Sequence, residues 1–270
     1  MGETTQFYWF SGTGNSLAVA KVLQERLAGN IELHRVSSCF DYEKGTPDGG
    51  KLGLFFPVYA WGIPAAVERF IDKLPGSGIN FIFAVATYAA MPGAALGMVN
   101  TALERKRLHL NAAYGVKMPE NYPPLGGVPG EKKKQRILNK ADRQIEEIAT
   151  DLNGEAPYQR HLPNPFFKLL GKVSGCVFKQ ILRKADRKFY ADDNCDGCGV
   201  CANVCPVKDV ELREGHPVWL GHCEQCFACL HWCPQEAVQY GRKSRNQSRY
   251  HHPAVDLQDF ITTPASAQSK

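Results

Sequence analysis

The sequence predicts an α/β protein: a doubly wound, five-stranded parallel sheet followed by a small α+β domain. Three observations predict it. Strand-like apolar runs alternate with helix-like runs through the first 155 residues. Eight of the ten cysteines then fall between Cys195 and Cys233, in two copies of one spaced motif. The charge also changes along the chain, with 17 basic and 16 acidic residues in 1–156, 8 and 1 in 157–190, 2 and 8 in 191–240, and 5 and 2 in 241–270. These pieces are the expected domains: an α/β domain (1–156), a basic amphipathic linker (157–190), a cysteine-rich domain (191–240) and a C-terminal extension (241–270).

Each element follows from local pattern. A strand is predicted at Thr5 to Phe10, a helix at Gly14 to Leu27 and a strand at Ile31 to Val36. A polar loop with Gly45, Pro47, Gly49 and Gly50 precedes a strand at Leu52 to Phe56. Pro64 suits the first turn of a helix reaching Leu74, where a missing N–H is tolerated. A strand at Phe81 to Ala86, a helix at Ala94 to Lys106 and a fifth strand at His109 to Lys117 follow. A Pro/Gly-rich loop, Pro119 to Gly130, leads into a charged helix from Lys132 to Asp151. Residues 75–102 carry no charge and are long enough to span a bilayer. The Met91-Pro92-Gly93 break divides them into a buried strand and a helix, so no transmembrane segment is expected. The chain opens almost directly on a strand without the order of a signal peptide, and the expected location is cytoplasmic.

Beyond the break at Pro157 to Pro165, Phe166 to Phe189 is amphipathic. Phe166, Leu170, Val173, Val177 and Ile181 share one side, and Lys168, Lys172, Lys179 and Arg183 the other. These lysines are expected to compensate the negative charge of the cysteine-rich piece and dock it on the α/β domain; the rival expectation is peripheral attachment to an anionic membrane or an acidic protein. The last thirty residues show no period.

The run Cys195-x2-Cys198-x2-Cys201-x3-Cys205-Pro206 recurs as Cys223-x2-Cys226-x2-Cys229-x3-Cys233-Pro234. In each copy three cysteines are expected on a tight loop, with the fourth opening a helix. Four thiolates hold one iron–sulfur cubane, and two-residue spacers deliver three of them from one loop. Gly197 and Gly199 ease the backbone there. Zinc uses Cys-x2-Cys pairs, but two complete runs of this form do not suit tetrahedral sites. Disulfides are the other alternative, and Cys39 and Cys176 are expected to be ordinary thiols. The runs resemble bacterial-type ferredoxins with two 4Fe–4S clusters, in which the fourth cysteine of each run serves the other cluster. That resemblance implies one cluster on Cys195, Cys198, Cys201 and Cys233 and another on Cys223, Cys226, Cys229 and Cys205.

After the first strand comes Ser11-Gly12-Thr13-Gly14-Asn15-Ser16. It lacks the Gly-Lys-Ser/Thr of a Walker loop and the third glycine of a dinucleotide fingerprint. It suits a phosphate held by neutral donors at a helix N-terminus, where backbone N–H groups supply the field. Helix capping alone is the simpler alternative. The order resembles the phosphate loop of flavodoxins, which implies FMN at the carboxyl ends of the strands. Two further loops are expected to flank the ring: Pro57, Tyr59, Ala60, Trp61 and Gly62 after the third strand, and Thr87, Tyr88, Ala89, Met91, Pro92 and Gly93 after the fourth. Tyr59, Trp61 and Tyr88 are candidates for stacking, against the alternative that they close the sheet edge.

With "FFPVYAWGIP" and "RYHHP", the whole resembles the flavodoxin–ferredoxin fusions called ferrodoxins. The resemblance implies FMN and two 4Fe–4S clusters used to relay single electrons, with an unidentified redox protein as donor or acceptor. The alternative is an FMN-dependent reductase of a small substrate such as a quinone or porphyrin precursor; a redox-sensing regulator is a third reading. No second nucleotide fingerprint and no nucleic-acid-binding pattern occur, and His109, His222 and His231 read as surface or packing residues.

Overall fold

The computed structural model describes residues 4–37, 50–154 and 185–262. The predicted linker lies almost wholly outside them, as do Cys39 and Cys176.

Five parallel strands form one sheet: β1 (Thr5–Trp9), β2 (Ile31–Arg35), β3 (Lys51–Pro57), β4 (Phe81–Tyr88) and β5 (Ala112–Lys117), in the order β2-β1-β3-β4-β5. Between them run α1 (Asn15–Arg26), α2 (Ala65–Lys73), α3 (Ala95–Arg105) and α4 (Glu131–Leu152). The strands are apolar on both faces because helices cover both. Tyr8, Leu54 and Phe56 meet Val67, Phe70 and Leu103 of α2 and α3 on one side. Phe7, Trp9, Phe55 and Phe83 meet Leu17 and Leu23 of α1 and Leu138 and Ile145 of α4 on the other. Gly53 leaves room for three of these rings, since a Cβ there would lie 2.6 Å from Phe83 and 2.9 Å from Phe55 and Phe7. This strand order is flavodoxin-like, and its switch point falls between β1 and β3.

The uncharged run 75–102 is β4 followed by α3, and among the described residues no helix is long and apolar enough to cross a membrane. The fifth strand begins three residues later than predicted, at Ala112. Asn111 replaces a rung of ladder: its N–H donates to the Ile82 carbonyl and its Oδ1 accepts from the Ile82 N–H, both at 2.7 Å.

The cysteine-rich region is built from short pieces. β6 (Phe189–Ala191) pairs antiparallel with β9 (Val238–Tyr240), and β7 (Val210–Arg213) with β8 (His216–Trp219). The amphipathic reading therefore ran too far at its end, because Asp186–Lys188 is a 3-10 turn and Phe189 opens a strand. The short helices α5 (Val200–Asn203) and α6 (Ala228–His231) contain the third cysteine of each run, and the fourth follows the helix rather than opening one. The cause is visible in the ladder: Val204 N–H closes on Val200 and Trp232 N–H on Ala228, completing the turn before Cys205 and Cys233.

The aperiodic tail is ordered by contacts, not by its own pattern. After a 3-10 turn at Lys243–Asn246 it crosses the carboxyl end of the sheet, and its described part reaches α7 (Leu257–Thr262). Tyr250, Val255 and Phe260 are buried. Phe260 packs between Trp9 of β1 and Trp232, with ring centroids at 5.4 and 5.0 Å.

Candidate cofactor sites

A cavity of about 350 Å³ opens at the carboxyl ends of β1, β3 and β4. Ser11, Gly12, Thr13 and Asn15 line it from the first loop, Pro57, Tyr59, Ala60 and Trp61 from the second, and Thr87, Tyr88, Ala89 and Met91 from the third. The structure thus brings together most of the residues singled out from sequence. Five others support the cavity without lining it. Gly14 starts α1 at φ 88°. Ser16 turns its hydroxyl to Thr87, 2.9 Å away. Gly62 pairs with Tyr59 in both directions across a tight turn whose central residues, Ala60 and Trp61, both have positive φ, as a type I′ turn requires. Gly93 lets that turn approach, since a Cβ there would sit 2.7 Å from the Trp61 Cβ. Pro92 packs on the other side of this loop, near Gly115.

The loop hydroxyls also serve the fold. Ser11 Oγ accepts from the Gly14 N–H at 3.0 Å, and Tyr250 donates its phenolic proton to Asn15 Oδ1 at 2.7 Å. Burial raises Tyr88, and it holds Tyr59 strongly in the neutral form, with Cys226 and Glu224 adding to the effect. Tyr59 therefore reaches toward the cysteine domain as well as the cavity.

Sequence reading missed part of the wall. Glu120, Asn121 and Tyr122, all from the Pro/Gly-rich loop Pro119 to Gly130, line the cavity, together with Gln225, Cys226 and Phe227 of the cysteine-rich region. Tyr122 donates to Gln225 Oε1 at 2.7 Å, and Gln225 Nε2 reaches Tyr240 at 2.9 Å. Only the proximity of the sheet and the cysteine-rich region could have revealed these contacts. The "RYHHP" segment is also a fastener. Arg249 donates to the carbonyls of Glu236 and Val238, His251 stacks on Trp232 at 4.5 Å, and the His252 N–H donates to the Thr13 carbonyl at 2.8 Å. Buried His231 holds Asn121 O and the Tyr250 N–H on its two ring nitrogens, and burial lowers it to about 4. None of His109, His222 or His231 lines the cavity.

The eight cysteines separate into two groups. Cys195, Cys198, Cys201 and Cys233 line one small recess. Cys205 acts electrostatically on Cys223, Cys226 and Cys229, across the order of the chain. Burial pushes the Cys201 thiol up to about 11 and Cys226 to about 12, and drives Cys223 and Cys229 higher still. Thiolates in such surroundings need a coordinated cation. Among the described residues no three His, Cys, Asp or Glu side chains close on one point as ligands of a single ion would.

The two sites touch. A Cβ on Gly12 would lie 2.0 Å from the Cys226 carbonyl oxygen, so the Ser11–Ser16 loop and the second cysteine loop meet backbone to backbone. Trp232 Nε1–H donates to the Gly12 carbonyl at 3.0 Å and secures the contact.

No family model matches the sequence. Among curated proteins, an uncharacterized protein of Methanocaldococcus jannaschii is 26% identical over 106 residues, covering 38% of this chain and 49% of its own. A ferredoxin of Pyrobaculum islandicum is 28% identical over 71 residues, 25% of this chain and 65% of its own. The matches thus span about half of the first relative and just under two thirds of the second. Among solved structures, the Megasphaera elsdenii flavodoxin is 15% identical with a TM-score of 0.34, covering 53% of this chain and 98% of its own. A Lactobacillus acidophilus flavoprotein in complex with FMN gives 14%, a TM-score of 0.33, and 42% and 93% coverage. The NAD(P)H:quinone oxidoreductase of Methanothermobacter marburgensis gives 9%, a TM-score of 0.37, and 60% and 100%. The flavodoxin-like description of the sheet follows from its strand order.

Proposed function

We propose that this chain is an electron-transfer flavoprotein that holds FMN in the cavity and a 4Fe–4S cluster on each cysteine group, and relays single electrons between them. The observation that carries this is the backbone contact between Gly12 and Cys226, which sets a cysteine group against the phosphate loop. FMN would exchange one or two electrons and each cluster one. The chain's part is placement. The N–H groups at the start of α1 receive the phosphate without a cation. Tyr59, Trp61 and Tyr88 offer aromatic faces to the ring. Phe227, Tyr122 and Tyr240 exclude water between the sites, with ring centroids 5.1 to 5.2 Å apart. Cys195, Cys198, Cys201 and Cys233 form the outer centre, open to an external redox protein, since Cys198 is exposed.

Anaerobic reconstitution tests the reading. The expected product holds one FMN and about eight irons per chain. Stopped-flow reduction should show cluster and flavin absorbance equilibrating within a turnover. Clusters that reduce while the flavin stays oxidised would sink the relay.

A second reading has one observation in its favour. Trp61 and Met91, each 45% exposed, and Leu125, 79% exposed, line the cavity and leave an apolar rim in solvent. Such a rim suits a small apolar substrate, making the chain an FMN-dependent reductase with Glu120, Tyr88 or Tyr122 as proton donor. Turnover with quinones, absent from a carrier, distinguishes the two.

A further inference from the structure

We propose that a basic recess on the cysteine-rich region docks a one-electron redox protein through that protein's acidic face. The inference rests on the electron-transfer reading above and gives its external partner a charge. Strand pairing builds the recess. β6 and β9 run antiparallel with Phe189 opposite Tyr240, so the turn before β6 meets the turn after β9. The Gly241 N–H donates to the Lys188 carbonyl at 2.9 Å and closes the junction. Arg187 and Lys188 then stand beside Arg242 and Arg245, around a recess of about 540 Å³ that Tyr190 and Gly241 complete.

All four basic residues are exposed, and no carboxylate lines the recess among the described residues. Asp186, next in the chain, lies instead near Gly221, whose Cβ would sit 3.9 Å from its Oδ2. Residues 157–184, which lead into the recess, hold six basic and no acidic residues and so bring no counter-charge. Two of the four cations meet aromatic rings. Arg245 Nε donates to the Tyr190 hydroxyl at 2.8 Å, and Lys188 Nζ is 5.9 Å from the Tyr240 ring centroid. Like charges gathered in this way repel, and an anionic surface relieves that cost. The charges sit on an open rim, unlike a pocket that encloses a small ligand. No large aliphatic side chain lines the recess, as insertion into a membrane surface would need. An acidic protein face fits best, because long-range charge both steers such a partner and fixes its orientation.

Position gives that partner a redox role. Tyr240 joins the recess to the inner cysteine group: Phe227, with its ring centroid 5.1 Å away, and Gln225, bonded to the Tyr240 hydroxyl at 2.9 Å, flank Cys226. The outer group carries the opposite sign. Asp196 lines its recess, and exposed Asp193 and Glu236 stand beside Cys195 and Cys233 in the chain. An acidic partner is therefore repelled from the outer group and drawn to the Tyr240 side, which leaves the outer group to partners without an acidic face.

The probe is reduced plant-type 2Fe–2S ferredoxin, an acidic one-electron protein, mixed anaerobically with the full reconstituted chain by stopped flow. The ferredoxin loses one electron and the chain gains it. The rate constant should fall at least about tenfold as salt rises from about 0.01 to 0.15 M, over which the screening length drops from roughly 30 to 8 Å. Arg187→Gln combined with Arg242→Gln should slow the low-salt rate at least about tenfold and flatten the salt dependence. Arg187→Lys combined with Arg242→Lys should react as wild type. Transfer from the reduced chain to cytochrome c, a basic one-electron protein, should not slow in any variant. A wild-type rate indifferent to salt, an unchanged rate in the neutral pair, or equal slowing with cytochrome c would overturn the proposal. So would phosphatidylserine vesicles that retain wild type but not the neutral pair while the ferredoxin rate stays the same. Calorimetric titration with oxidised ferredoxin separates the surface from the relay, because no electron moves. Binding lost in the neutral pair supports the surface, whereas a chain that binds the reduced ferredoxin and stays oxidised defeats the relay alone.

Discussion

The two cysteine runs are copies in spacing but not in backbone chemistry. In the first, the residues flanking the middle cysteine are Gly197 and Gly199, with φ of 72° and 76°. In the second, the same two positions hold Gln225 and Phe227, with φ of 51° and 57°. A side chain in the left-handed region costs roughly 1–2 kcal/mol, so the second copy carries strain that the first avoids with glycine. What it gains is contact. Gln225 joins Tyr122 to Tyr240, and Phe227 packs among Tyr122, Phe189 and Tyr240. Both line the cavity at the carboxyl ends of the strands, whereas the first run faces the turn between β7 and β8 at Gly215. On the proposed reading one motif serves twice, once as a solvent-facing centre and once as part of the wall between two cofactor sites.

The largest test of that difference removes one ligand from each copy. Cys226→Ser should eliminate the inner cluster, leave about four irons per chain, and also weaken FMN binding, because the loop that meets Gly12 loses its anchor. Cys198→Ser should remove the outer cluster while FMN affinity stays at wild type. Iron content and flavin fluorescence titration read both, and equal flavin loss in the two variants would erase the asymmetry. Next in size is a methyl group. In Gly12→Ala the new Cβ meets a backbone carbonyl at 2.0 Å, so one loop must move. FMN affinity should fall at least about tenfold, equivalent to about 1.4 kcal/mol. In Gly199→Ala the nearest neighbour is the Leu212 Cδ1 at 3.5 Å, so only the conformational penalty remains and thermal unfolding should reveal about 1–2 kcal/mol. FMN affinity should not change there.

How much of this was legible depended on whether the signal was local. Alternating strands, the two glycines of the first run and the Ser11–Ser16 loop carry their patterns within a few residues, and sequence reading placed the strands, the turn glycines and the loop-to-helix start. Arg35 carried no signal of its contacts in the sequence, because Val204 and Phe260 lie 169 and 225 positions away. Gln225 and Phe227 gave no sign of their strained backbone, since only tertiary contact holds a side chain there. Tyr250, Val255 and Phe260 have no helical period, because each answers a different partner: Asn15, Gly14 and Trp9. Ser16 fitted a phosphate ligand by position, yet its hydroxyl is spent on Thr87, whose distance in sequence hid the pairing.

A smaller perturbation probes the fastening of the second copy. Trp232→Phe keeps a ring between His251 and Phe260 but leaves the Gly12 carbonyl without its indole donor. An unpaired buried acceptor costs about 1–3 kcal/mol, which chemical denaturation under anaerobic conditions should detect. The matching position in the first copy is Val204, which donates nothing from its side chain, so no equivalent loss exists there.

The smallest expected change in stability comes from giving the second copy the residue of the first. Gln225→Gly removes left-handed strain of roughly 1–2 kcal/mol. It also deletes two side-chain hydrogen bonds, each contributing about 0.5–1.5 kcal/mol. The two effects oppose, so global stability should move by less than about 1 kcal/mol in either direction. FMN affinity should respond more, because Tyr122 and Tyr240 lose the amide that joins them beside the cavity. A variant with near-wild-type denaturation and weakened flavin binding would show that the strain at residue 225 is retained for the wall it builds. Unchanged flavin binding would make Gln225 a packing residue, and the contrast with Gly197 would then concern the fold alone.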